Sequence, residues 1–186
     1  MSKSVTKYLR RAVLMAGAAA ALAACVPQQS PTDEGIGFRA QRFEEVAAMR
    51  EYRACVDDAV QLDQQAYNTR SPAQYLSSAR LLESCEANLG PVASEVPMDE
   101  RMHSYGLAVQ NYVKGGDLDA ARGALNNFET AFAGHDLYYA DGSSFTDTMG
   151  SLLGRYEERD FGQFSTLNVS ADLKAEMRRV NHWASN

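Results

Sequence analysis

Two cysteines placed symmetrically about a helix break constrain this chain more than any other feature. From Phe38 onward apolar residues recur at threes and fours: Phe43, Val46 and Ala47, Met49, Tyr52, Cys55 and Val56, Ala59, Leu62 and Ala66, with charges between them. That is the period of an amphipathic helix. The pattern stops at Asn68-Thr69-Arg70, and Ser71-Pro72 supplies a capping hydroxyl followed by a proline in the first turn, which signals a new helix. This second helix carries Tyr75, Leu76, Ala79, Leu82, Cys85 and Leu89, and Gly90-Pro91 ends it. Residues 39–90 are thus predicted to form an antiparallel helical hairpin turning near Arg70. Cys55 and Cys85 each lie fifteen residues from Arg70. With a rise of about 1.5 Å per residue, both stand about 22 Å up the hairpin. Each also occupies the apolar stripe of its own helix, and neighbouring helices pack about 8–10 Å apart. A disulfide between them is therefore within reach, and closing a loop of this length contributes about 3–4 kcal/mol. The competing reading is two buried thiols that never meet.

A second hairpin is predicted beyond the first. Pro97 opens a helix bearing Met102, Tyr105, Val109, Tyr112 and Val113, which Gly115-Gly116 ends. Asp117 caps the next, whose inner face is Leu118, Ala121, Ala124, Leu125, Phe128, Ala131 and Phe132, closed by Gly134. A longer connection, residues 135–142, leads to a helix expected over 144–156, with Phe145, Met149, Leu152, Leu153 and Tyr156 in register despite Gly150 and Gly154. Ser170 caps a final helix with Leu173, Met177, Val180 and Trp183. No window shows sustained strand alternation, so the expected fold is all-α, with about six helices in antiparallel hairpins.

The N-terminus decides whether the two thiols meet an oxidant. Lys3, Lys7, Arg10 and Arg11 precede an apolar run from Ala12 to Val26, shorter than the roughly 20 residues a membrane span needs. This is the layout of an export signal. Its end, Leu22-Ala23-Ala24-Cys25, resembles the lipobox of bacterial lipoproteins. The resemblance implies that residues 1–24 are a signal peptide, that Cys25 becomes the lipid-bearing first residue of the mature chain, and that its acyl chains, palmitate among them, anchor it to a membrane. Each buried methylene contributes about 0.8 kcal/mol, so two or three chains would hold it essentially permanently. Val26 stands where an aspartate tends to retain such proteins at the inner membrane, which implies the outer membrane, with the protein on its periplasmic face. Arg10-Arg11 lacks the flanking residues of a twin-arginine signal. The exported compartment is oxidising, which favours the disulfide.

Residues 25–38 are rich in proline, glycine and polar side chains and read as a flexible tether, leaving 39–186 as the periplasmic helical domain. The formal charge of −6 includes +4 in the signal segment, so the mature chain carries −10. Such a surplus of acid is unsuited to binding a phosphate backbone, and no nucleic-acid partner is expected.

Tyr105 and Tyr112, the Gly116-Asp117 turn, and then Ala121 and Leu125 resemble a tetratricopeptide repeat over residues 102–132. Phe128 departs from the family pattern, which has a small residue there, and no proline follows the second helix. The resemblance implies helices packed closely through small and aromatic positions. It also implies a groove facing His103, Gln110, Val113 and Lys114, a set able to hold a peptide through polar contacts.

Chemistry-bearing motifs are few. His103, His135 and His182 lie far from one another and from cysteine, which leaves a zinc site unsupported. His135-Asp136 with Asp141 can be drawn as a metal or acid–base cluster, although such a loop is more often a solvated connection. There is no phosphate-cradling glycine loop and no Gly-x-Ser-x-Gly elbow. The expectation is a non-enzymatic envelope lipoprotein without cofactor or metal, acting as an assembly factor or complex subunit that binds another envelope protein. The rival readings are a small-ligand or lipid carrier, with Tyr138, Tyr139, Phe145 and Trp183 lining a cavity, and an envelope hydrolase using unassigned acids.

Overall fold

The computed structural model describes residues 33–162 and 164–184. Residues 1–32, with the lipobox, Cys25 and most of the expected tether, lie outside them. The chain divides into two units, residues 1–41 and 42–186. Of the first, only the opening turns of α1 are described. The described elements are α1 (Asp33–Thr69), α2 (Pro72–Asn88), a 3-10 turn (Gly90–Glu95), α3 (Met98–Gly115), α4 (Leu118–Ala131), α5 (Phe145–Leu152), a second 3-10 turn (Glu158–Phe161) and α6 (Ala171–Ala184). Among the described residues there is no strand, only an isolated bridge between Tyr138 and Ser144. The fold is all-α.

Helix α1 is described from Asp33, ahead of residue 39 where the sequence pattern places its start. It ends where the sequence pattern breaks. Arg70 adopts φ 53°, and the Ser71 amide donates to the Ala66 carbonyl over 3.1 Å, the six-to-one bond that closes a helix with a left-handed residue after it. The Ser71 hydroxyl then caps α2 by accepting from the Gln74 amide, with Pro72 in the first turn. The hairpin is antiparallel, and Cys55 and Cys85 are joined by a disulfide with Cα atoms 5.8 Å apart. Around it Tyr52, Cys85, Leu89 and Val96 form one small buried cluster, and Ala59, Leu82 and Ala108 another. The apolar stripe of α1 is longer than its buried part, since Phe43 is exposed.

The second hairpin closes in the same way. Gly116 at φ 82° follows α3, and the Asp117 amide donates to the Tyr112 carbonyl over 3.0 Å. Asp117 then caps α4 through the Ala120 amide. Gly115 permits the approach of the two hairpins, because a Cβ there would stand 2.7 Å from Leu76 Cγ and 3.2 Å from the Pro72 carbonyl oxygen. The main core lies on this side. Phe128 has ring centroids 5.1 Å from both Phe132 and Phe145, and Tyr105 caps the group at 6.4 and 6.2 Å from Phe128 and Phe132. Full burial of a phenylalanine contributes up to about 3 kcal/mol, and ring pairs of this geometry add about 0.5–1.5 kcal/mol each. Leu118, expected on the inner face, is exposed.

Two helices differ from expectation at their ends. Helix α5 stops at Leu152 instead of reaching Tyr156 because Gly154 turns the chain at φ 71° and the Arg155 amide bonds back to the Gly150 carbonyl. Tyr156 instead folds over Gly150, where a Cβ would stand 2.9 Å from its ring. Helix α6 is capped by Ser170 as expected, its hydroxyl accepting from the Leu173 amide. It buries no residue fully, and it packs on the second 3-10 turn, where Arg178 donates to the Phe161 carbonyl.

Candidate functional site

A chain of polar contacts ties three helices together and ends at the surface. The Ser78 hydroxyl of α2 donates to the Ala59 carbonyl of α1 over 2.7 Å and accepts from the Asn111 side-chain amide of α3 over 3.1 Å. Both side chains are fully buried, and buried polar groups of this kind stabilise a fold only when bonded. The Asn111 side-chain oxygen accepts from Lys114 Nζ over 3.0 Å, and Lys114 Nζ also reaches Asp63 Oδ1 over 3.1 Å. The same ammonium lies 5.1 Å from the centroid of the Tyr75 ring, within cation–π range. Lys114 is therefore held by groups from α1, α2 and α3 at once.

Lys114 opens onto a surface cleft of about 590 Å³ lined with Tyr67, Asn68, Arg70, Pro72 and Tyr75. A neighbouring recess of about 520 Å³ shares Tyr67, Asn68, Tyr75 and Lys114 and adds Asp63 and Gln64. Tyr67 is 75% exposed. On the far side of Leu76, a third recess of about 510 Å³ is lined by Gly115, Gly116, Asp117, Leu118, Asp119 and Arg122. The turn-bearing end of the two hairpins thus carries neighbouring recesses with aromatic and charged linings. Aromatic side chains and arginine are the types enriched where proteins bind one another. A small cavity of about 160 Å³ lies apart from these, beside Tyr52, Cys55 and Cys85.

Of the four groove positions expected on α3, the structure brings Lys114 into this cleft. His103, exposed, lies near the start of the helix with Nδ1 2.7 Å from the Asp99 carbonyl oxygen. Gln110 is half-buried between them, and Val113 packs against the aromatic core. Tyr67, Arg70, Tyr75 and Asp63 were not visible as site residues in the sequence, where 68–70 reads only as a helix stop. Their one sequence signal is an arginine at a turn where glycine would serve.

The other candidates have structural partners. Asp136 accepts from the Leu137 amide (2.8 Å), the Thr146 amide (3.1 Å), the Thr146 hydroxyl (3.0 Å) and the Ser144 hydroxyl, clasping the loop to the first turn of α5. Asp141 accepts from the Ser143 side chain and amide, which hold its carboxyl below the ordinary range. Among the described residues no group of three or more His, Cys, Asp or Glu side chains could hold a metal ion. The four aromatics of the carrier reading do not share a cavity: Phe145 is buried against Phe128, Tyr139 is half-buried beside it, and Tyr138 and Trp183 are exposed. No described helix is long and apolar enough to cross a membrane. Comparison with protein-family models, with curated proteins and with solved structures gave no match for this chain.

Proposed function

We propose that this chain is an outer-membrane lipoprotein, anchored at Cys25 on the periplasmic face, whose helical domain binds another envelope protein as an assembly factor or subunit of a complex. The cleft around Lys114 carries the reading. It gathers two tyrosines, an arginine and a lysine at one end of the domain, and a buried polar chain through Asn111 and Ser78 fixes the lysine in place. Support also comes from the Leu-Ala-Ala-Cys sequence and from a disulfide, which persists in an oxidising compartment. Most of the cleft lining belongs to the α1–α2 hairpin and its turn, with Lys114 reaching in from α3, and the reading assigns no reaction to it.

Two measurements test this. Incorporation of labelled palmitate into the full-length chain, lost in Cys25→Ser, checks the anchor, and membrane fractionation places it. A photo-crosslinking residue at Tyr67, Asn68 or Tyr75 should give a discrete adduct with one envelope protein in the native cell, whereas the same residue at Val180 on α6 should not. Equal smears from all four positions would remove the basis for a binding cleft.

A further inference from the structure

Six described residues have a left-handed backbone. Five are glycines: Gly90 at φ 53°, Gly116 at 82°, Gly134 at 80°, Gly142 at 80° and Gly154 at 71°; the sixth is Arg70 at 53°. An L side chain is disfavoured in this region, and glycine is the residue that relieves it. Arg70 and Gly116 hold the same place in the same motif, since each follows a helix and each is followed by an amide bonded five residues back. The fold at this position therefore asks for glycine and carries arginine. A strained residue kept against local preference points to a use for its side chain.

Arg53, Arg101, Arg122 and Arg155 each hold a carboxylate. Among the described residues the Arg70 guanidinium has no such partner and lines the cleft with Tyr67, Tyr75 and Lys114. Its planar fork suits a carboxylate held by two parallel hydrogen bonds. The chain as a whole is strongly acidic after the signal segment, which opposes an extended polyanion or an anionic membrane lying along the domain. A short acidic stretch placed locally avoids that repulsion. Asp63, Gln64 and Asn68 border the same cleft and offer acceptors and donors to a peptide backbone.

We propose that the cleft recognises an acidic segment of the partner protein, with Arg70 taking a carboxylate, Lys114, already paired with Asp63, fixing the cleft wall beside it, and Tyr67 and Tyr75 packing against the flanking residues. This rests on the reading that the domain binds a protein at this cleft, and it adds the chemistry of the bound segment.

The test uses the full-length lipidated chain in phosphatidylcholine nanodiscs and two fluorescent octapeptides, one alternating glutamate with phenylalanine and the other with glutamine in place of glutamate. Anisotropy should show the acidic peptide binding at least tenfold more tightly, with the preference shrinking as salt rises. Arg70→Gly should lose tenfold or more in affinity for the acidic peptide while its melting temperature stays equal or rises. Arg70→Lys should retain part of the preference, since a lysine keeps the charge and loses the fork. Equal binding of the two peptides, no binding of either, or unchanged affinity in Arg70→Gly would overturn the proposal. So would a lower melting temperature in Arg70→Gly, which would make Arg70 a structural residue. Release of the acidic peptide from wild type, but not from Arg70→Gly, on transfer to phosphatidylglycerol discs would assign the cleft to a lipid headgroup and overturn it too. Crosslinks from Tyr67 and Tyr75 distinguish the two levels. If they persist in Arg70→Gly without acidic preference, the binding cleft stands and the acidic segment falls. If they never form, both fall.

Discussion

The first hairpin buries Tyr52, Ala59, Ala66, Ala79, Leu82, Cys85 and Leu89, a set of small and medium side chains with one ring. The second also buries small residues, Ala108, Ala121 and Ala124, but adds Met102, Tyr105, Val109, Tyr112, Leu125, Phe128 and Phe132, and draws Phe145 in from α5. Small residues let α1 and α2 approach closely, yet each removes little apolar area from water, and stability follows that area. The disulfide sits on the hairpin with the thinner core, and none crosses the hairpin with the aromatic one. A covalent link that restricts the unfolded chain offsets what the small-residue interface does not supply. The surface follows the same division, since most of the cleft lining comes from the first hairpin and the deep packing from the second.

The largest expected effect lies in the second hairpin. Phe128 is fully buried and touches three other rings, so Phe128→Ala should cost about 3–5 kcal/mol in denaturant unfolding. A loss under about 1 kcal/mol would mean that the aromatic cluster is not the centre of the fold. Removing the disulfide as Cys55→Ala with Cys85→Ala should cost about 3–4 kcal/mol. Its location matters more than its size. Hydrogen exchange should accelerate in α1 and α2 well before α4, and uniform acceleration would abolish the contrast between the hairpins.

These two features differ in how far the sequence exposes them. The cysteine heights follow from a fixed rise per residue counted from one break, and the disulfide lies where that count places it. Helix starts at Ser71-Pro72, Asp117 and Ser170 are equally local, because each depends on a hydroxyl or carboxylate beside its own amides. Apolar periodicity says less. It assigns a face but not the neighbour that covers it, so Phe43, Leu118 and Trp183 read as inward and are exposed. The cleft was the least legible part. It takes Asp63 and Tyr67 from α1, Tyr75 from α2 and Lys114 from α3, a convergence that no single helix pattern encodes. The sequence shows an arginine at the turn near residue 70, but that its backbone is left-handed is known only from the structure.

The seam between the hairpins should respond to alkali. Tyr112 donates to Glu83 Oε2 over 2.5 Å and Tyr105 to Oε1 over 3.4 Å. Burial first, and the charge of Glu83 second, push the Tyr105 hydroxyl up to about 12, while burial and the bond to Glu83 push Tyr112 higher still. A phenol with a raised pKa binds its proton more tightly in the folded state than in the unfolded one, whose value is about 10. Stability from this pair is therefore complete below about pH 10 and declines as pH rises through 10 toward 12. Tyr105→Phe should flatten part of that decline. An unfolding free energy that falls equally in both proteins would detach the seam from its tyrosines.

The smallest effects come from exchanging the residues at the two helix ends. Gly116 and Arg70 occupy equivalent left-handed positions, so the same backbone strain should appear with opposite sign when each is replaced. Gly116→Ala places a Cβ in a conformation that favours glycine and should cost about 1 kcal/mol. No atom stands within 4 Å of that Cβ, so the loss measures backbone strain and not a clash. Arg70→Gly relieves the same strain but frees the unfolded chain, and the two terms leave a gain of at most about 1 kcal/mol. Denaturant midpoints of the two variants and their double mutant decide the matter. Opposite signs, adding independently in the double mutant, mean that the hairpins share one turn chemistry and that the arginine is retained for the cleft. A loss in both means that the Arg70 side chain contributes to folding, and the likeness between the two turns ends at the backbone.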